Sequence, residues 1–214
     1  MLRLAELRDT LFIGDRIGAD LYGRMVVVSA FGGITDLLLE HKKSGEPGVY
    51  GRFSSAEEDH GWHGALDGVA KAMNLAHGTV LAHPADREQA DVFVRERIEG
   101  ARNCMADLRR LCSYGHFRLS EHLLKVRELL SGLGEAHSAF TATLLLQRAD
   151  VNARLVDLTG WRDAQETNLE NRILQGIEGI DVGTEMPIVT GYAQCTEGLM
   201  REFDRGYSEI IFSR

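Results

Sequence analysis

Ser29, Gly32, Gly33 and Thr35 fall within the single stretch MVVVSAFGGITD, residues 25 to 36, a combination of residue types that can hold an anion. Two adjacent glycines let backbone N–H groups face outward without Cβ interference, and the hydroxyls of Ser29 and Thr35 supply further donors. An apolar strand running into such a loop and then into a helix is a common phosphate-holding arrangement. Thr35 or Asp36 is expected to cap a helix starting near Leu37, whose N-terminal dipole would favour negative charge in the loop. The same string also fits an ordinary tight turn between a strand and a helix, and the loop alone does not separate the two readings. Farther along, Arg205 offers a guanidinium fork suited to a carboxylate, and Glu135 can accept a hydrogen bond from an amino group. Each has a plainer reading. Arg205 between Asp204 and Glu209 fits a surface ion pair, Glu135 fits the dipole at a helix start, and Phe31 and Tyr192 fit a core.

These residues need elements to hold them. Three consecutive valines predict a strand over Met25–Ala30 with both faces covered. Before it, Leu4, Leu7, Leu11, Ile17 and Leu21 recur at helical spacing, and Gly23 closes that helix. After the loop a helix is expected over Leu37–Lys43, followed by Gly45-Glu46-Pro47-Gly48, which opens an irregular insertion. The apolar pattern then predicts a long helix over Asp86–Cys112, a second capped by Ser120, and a third beginning near Gly134. Val151–Asp157 and Met186–Thr190 read as strands, and Ile210–Phe212 as the opening of another. The alternation is that of an α/β domain without repeats or internal linkers. The helical stretch between the glycine loop and Glu135 suits a cap over an acceptor site or oligomer contacts, and the sequence supports both.

In the sequence of 214 residues, 44% are hydrophobic and 26% charged, enough for one substantial core. The formal charge of −8 argues against a nucleic-acid groove, which needs clustered Lys and Arg. Cys104, Cys112 and Cys195 match neither a metal pattern nor a disulfide framework, so a reducing, cytoplasmic compartment is expected. No apolar run has membrane-spanning length, and no membrane partner is expected. His60 and His63, beside Glu57, Glu58 and Asp59, would suit zinc if helical, but Gly61 weakens a helix there and a solvated acidic turn is the expectation, with no metal site.

Three elements in order carry a family resemblance. VVVSAFGGITD resembles the VVSAMGGVTD element of aspartate kinases, within the amino-acid kinase family. Ser131-Gly-Leu-Gly-Glu135-Ala-His-Ser138 resembles that family's GE-x-x-S element. Thr190-Gly-Tyr192 and Phe203-Asp-Arg205-Gly206-Tyr-Ser208-Glu209 resemble its T-G-F and G-R-G-G-S-D elements. The strings LEHKKSGEPGVYGRF and VTGYAQCTEGLMREFDRGYSEIIFSR are most similar to the branch found beside ectoine-synthesis genes.

The resemblance implies a three-layer α/β/α amino-acid kinase fold of the carbamate kinase-like type, with a mostly parallel sheet, present in part. It implies ATP-dependent phosphorylation of the β-carboxylate of L-aspartate with Mg2+, giving 4-phospho-L-aspartate for aspartate-family amino acids or ectoine, and a homo-oligomer at full length. Such a transfer brings anions together, each close pair costing about 4 kcal/mol at 4 Å in an effective dielectric near 20, so charge neutralisation and positioning carry catalysis. The implied acceptor site comprises Ser29, Thr35, Glu135, Tyr192, Arg205 and Ser208. Gly32 and Gly33 would face the transferred phosphoryl, and Glu209 would orient the catalytic groups. Tyr207 for a glycine and Glu209 for an aspartate depart from the family pattern. So does the lack of the opening K-x-G-G-T-S strand, while the nucleotide-binding segment and paired ACT domains would follow Arg214. Residues 1–214 are therefore expected to be a partial catalytic domain, its acceptor-binding portion, inactive alone. A non-enzymatic acceptor-binding or dimerising module and a sister kinase with another acceptor are the alternatives.

Overall fold

The computed structural model describes residues 21–55 and 61–198. All but the last residue of the helix expected through Leu4, Leu7, Leu11, Ile17 and Leu21 lies outside them, as do the strand expected at Ile210–Phe212 and residues Glu57–His60. Three parallel strands form the sheet: β1 (Val26–Val28), β2 (Ala153–Val156) and β3 (Met186–Thr190), in the order β1-β3-β2. Val26 pairs with Ile188 and Val28 with Thr190 on one side of β3, while Ala153 pairs with Met186 and Val156 with Val189 on the other. Every residue of β3 is buried, as a central strand covered on both faces requires. The three valines of β1 are only half-buried, because among the described residues this strand lies at the sheet edge. The pattern of β-branched residues thus identified a strand and overstated its cover.

The helices are α1 (Ile34–Leu38), α2 (Val49–Ser54), α3 (Gly61–Val80), α4 (Pro84–Cys112), α5 (Leu123–Gln147) and α6 (Leu169–Ile177). Residues 49–54 and 61–80, expected to be irregular, are helical; in the second stretch Trp62, Leu66, Val69 and Met73 recur at helical spacing and bury one face of α3. Helix α1 starts at Ile34 and stops at Leu38, short of the expected Lys43, where the chain turns back so that Glu40 bridges to Pro47. Its N-cap is Gly33, so Thr35 and Asp36 sit in the first turn and not at the cap, and Asp36 Oδ1 accepts from Lys42 N–H at 3.3 Å. Helix α6, not anticipated, closes a parallel β-α-β unit between β2 and β3, capped by the Asn168 side chain.

The largest departure is α5, one continuous helix where two were expected, with Ser120 in a short 3-10 turn before it and His122 at the N-cap position. Gly132 and Gly134 suggest a break by propensity, each costing about 1 kcal/mol relative to Ala in a helix interior. Tertiary packing explains their presence. A Cβ on Gly134 would come to 3.1 Å from Ala30 Cβ and 3.2 Å from Leu38 Cδ1, and one on Gly132 to 3.1 Å from Thr159 Cβ. The absent side chains let the helix approach the loops that leave β1 and β2. Helix α5 is buried almost all round through residues 130–139, packed between the sheet and the α3/α4 pair. No helix among the described residues is long and apolar enough to cross a membrane.

Candidate active site

Because all three strands are parallel, their C-terminal ends share one edge, where open α/β sheets bind ligands. From that edge emerge Ser29 after β1, Asp157–Gly160 after β2, and Gly191–Tyr192 after β3. Beneath it runs the glycine-containing part of α5. Ser29 Oγ donates to Glu135 Oε1 at 3.2 Å across 106 positions of sequence. Glu135 is 2% exposed, a carboxylate carried in mid-helix on the central helix and not at a helix start, so the dipole reading of its position falls away. Tyr192 is buried in the main core against α5, its ring Cδ1 3.6 Å from where a Cβ on Gly132 would stand. Thr190 ties the two neighbouring loops together: its Oγ1 accepts from Leu158 N–H at 3.0 Å and donates to the Tyr192 carbonyl at 2.9 Å.

The glycine loop sits at the same edge. Phe31 carbonyl accepts from Ile34 N–H at 3.0 Å, closing a turn in which Gly32 and Gly33 are exposed. Gly33 takes φ of 87°, a left-handed conformation that favours glycine, and a Cβ there would meet nothing within 4 Å. With only five residues, α1 has a small dipole, so an anion would depend on the N–H groups of the turn itself. The structure thus places Ser29, Gly32, Gly33 and Tyr192 in the loops at one edge, with Glu135 of α5 in contact with Ser29, while Thr35 stands in the first turn of α1. Arg205, Ser208 and Glu209 lie outside the described residues.

Two clusters at or near this edge carry no signal in the sequence. After β2, Arg97 pairs with Asp157, and Thr159 Oγ1 donates to Asp157 at 2.6 Å. The guanidinium lies 4.6 Å from the Trp161 ring and 4.7 Å from the Phe93 ring, bordering a cavity of about 250 Å³. Behind the glycine loop, His77 Nδ1 contacts Asp91 Oδ1 at 2.6 Å, and His77 Nε2 contacts His137 Nε2 at 2.9 Å. Burial lowers the pKa of both histidines, that of His137 to about 3 with the His77 charge adding to the effect. His137 lies edge-on to Phe31, ring centroids 5.1 Å apart. Residues 60 positions apart in sequence leave no local spacing by which the pair could be read.

The His63 ring stacks on Trp62 at 3.6 Å, and Arg102 donates to the His63 carbonyl at 3.2 Å; its expected companions Glu57–His60 lie outside the described residues. Among the described residues no group of three His, Cys, Asp or Glu is placed to hold a metal ion.

Over all 214 residues the chain is 50% identical to Aspartate kinase Ask_Ect of Stutzerimonas stutzeri (strain A1501). The chain belongs to the aspartate kinases. It covers 45% of that relative's length, so it corresponds to somewhat less than half of such a protein. No family model and no solved structure matches the chain. As an aspartate kinase segment it has the α/β organisation expected of it, with a small parallel sheet and a large share of helix.

Proposed function

We propose that this chain is the acceptor-binding portion of an aspartate kinase catalytic domain of the three-layer α/β/α amino-acid kinase type, with L-aspartate as acceptor and ATP as phosphoryl donor. The single observation that carries the reading is the Ser29–Glu135 hydrogen bond at the strand edge, beside the open turn at Gly32 and Gly33. A buried carboxylate fixed by a hydroxyl suits the α-ammonium group of an amino acid, and the two glycines give a phosphoryl group close backbone approach. The 50% identity to an aspartate kinase supports the choice of acceptor.

In this reading the β-carboxylate oxygen of aspartate attacks the γ-phosphorus. The new P–O bond forms as the bond to the β,γ-bridging oxygen breaks, and ADP leaves with that electron pair. The attacking carboxylate is already ionised, so no general base is required and the buried neutral histidines are not asked to remove a proton. Gly32 and Gly33 face the transferred group, since a Cβ at either position would meet no atom within 4 Å and the backbone of the turn is open to approach. Ser29 and Glu135 hold the acceptor's amino end, with Thr35 and Tyr192 lining the site. Arg205 and Ser208 bind the acceptor from the segment beyond the described residues, and Glu209 orients the reacting groups. Mg2+ would accompany ATP and offset charge on its phosphates, and no side chain of the described segment is assigned to it.

The test uses a chimera in which these 214 residues replace the homologous stretch of the Stutzerimonas stutzeri enzyme. Aspartate-dependent ADP release is the expected result, and a folded chimera without it would overturn the reading. Glu135→Gln in that chimera is expected to raise the aspartate KM about 30-fold, as loss of ~2 kcal/mol from a buried charged hydrogen bond requires. It should also narrow the preference for aspartate over acceptors lacking the amine, and unchanged selectivity would remove Glu135 from that role. Arg205→Lys is expected to raise the aspartate KM steeply with little change for ATP, because lysine cannot reproduce a bidentate fork. Equal losses for both substrates would show that Arg205 does not hold the acceptor carboxylate.

A further inference from the structure

The Asp91–His77–His137 chain crosses from α4 through α3 to α5 and ends on the glycine loop, and the proposed mechanism leaves it unused. Its hydrogen bonds admit one proton arrangement when the rings are neutral. The Asp91 carboxylate only accepts, so at 2.6 Å His77 carries its proton on Nδ1. His77 Nε2 is then a lone pair, and His137 Nε2–H must donate to it at 2.9 Å. That leaves His137 Nδ1 unprotonated, and this buried atom has no hydrogen-bond partner among the described residues. An acceptor left so in the interior is a cost that ordinary packing avoids, since buried polar groups are normally satisfied.

The His137 ring meets Phe31 edge-on, at an interplanar angle of 79°. Phe31 in turn supplies the carbonyl that closes the turn containing Gly32 and Gly33. We propose that His77 and His137 are positioning residues for the glycine loop: Asp91 fixes the tautomer of His77, His77 fixes that of His137, and the ring so oriented holds Phe31 and the turn behind it. The inference deepens the kinase reading and rests on Gly32–Gly33 being the phosphoryl-facing loop. It requires both rings to stay neutral while the protein is folded, which their burial favours.

The test is nitrogen-15 NMR on the 214-residue chain at neutral pH, with Asp91→Ala as the variant. Asp91 lies at the outer end of the chain, its side chain 39% exposed, so the truncation removes no core atoms. In the unaltered chain the ring shifts should show His77 protonated at Nδ1 and His137 at Nε2, and in the variant His77 should lose that fixed tautomer. Amide exchange at Ile34, whose N–H closes the Phe31 turn, should then become about tenfold faster while the amides of β3 keep their protection, the signature of a local opening. His77 found with its proton on Nε2 in the unaltered chain would overturn the relay. So would exchange at Ile34 that is unchanged in the variant, or that rises in step with β3, since a purely structural contact predicts the latter. Neither measurement needs catalysis, so an inactive chimera would count against the kinase reading alone.

Discussion

Gly33→Val is expected to lower aspartate-dependent turnover of the chimera by at least about 10²–10³-fold, the loss typical when one backbone donor to a developing anion is removed or displaced. The position takes φ of 87°, where a β-branched residue is strained. Valine therefore either distorts the turn or places two methyl groups where the phosphoryl must come. Folding should survive. A Cβ at Gly33 meets no atom within 4 Å, so no core contact is lost and the strain amounts to about 1–2 kcal/mol. Gly33→Asn separates backbone from bulk, because asparagine tolerates the left-handed conformation. If it restores the urea midpoint yet leaves turnover low, side-chain bulk at the phosphoryl is what matters. Near-normal turnover by the valine variant would reduce Gly33 to a turn residue.

Stability should fall as pH drops from 7 to 5, and His137 alone is expected to account for about 2 kcal/mol of the loss. Its pKa is about 3 in the fold and near 6.5 in the unfolded chain, so between those values the unfolded state binds a proton that the native state refuses. A depressed histidine of this kind contributes stability that is full above the unfolded pKa and is lost as the pH falls below it. His77 is shifted in the same direction by burial, against the opposing pull of Asp91, and should add to the slope. Urea unfolding of the 214-residue chain at both pH values measures the difference. Since carboxylates contribute with the same sign, the comparison that isolates the residue is His137→Leu, for which the pH-dependent loss should shrink by the stated amount. An identical loss in the variant would mean that His137 titrates normally in the folded protein.

The strand and turn over residues 26–33 were legible because they depend on local chemistry. A valine run into Ser-Ala-Phe-Gly-Gly needs no distant partner to be recognised as a strand and an anion-ready turn, and β3 appears with the expected ends, Met186 and Thr190. The resemblance in ordered strings identified the family, later borne out by 50% identity over the whole chain. The helix boundaries were not legible. Gly132 and Gly134 look like a helix break by propensity, whereas the fold uses them to bring α5 within reach of Ala30 and Thr159. That contact energy is invisible until the loops are in place. Residues 61–80 likewise look irregular because glycines interrupt them, yet the buried stripe through Trp62 and Met73 decides for a helix. The relay from Asp91 to Phe31 depends wholly on tertiary structure, since its members come from three helices and a loop. Sequence singled out groups whose chemistry suits an anion and an amino acid, Gly32 and Gly33 for the first and Glu135 for the second. The tertiary structure decided that Glu135 lies in mid-helix and that two buried histidines stand behind the glycine turn, because only packing brings groups so far apart in the chain within hydrogen-bonding distance.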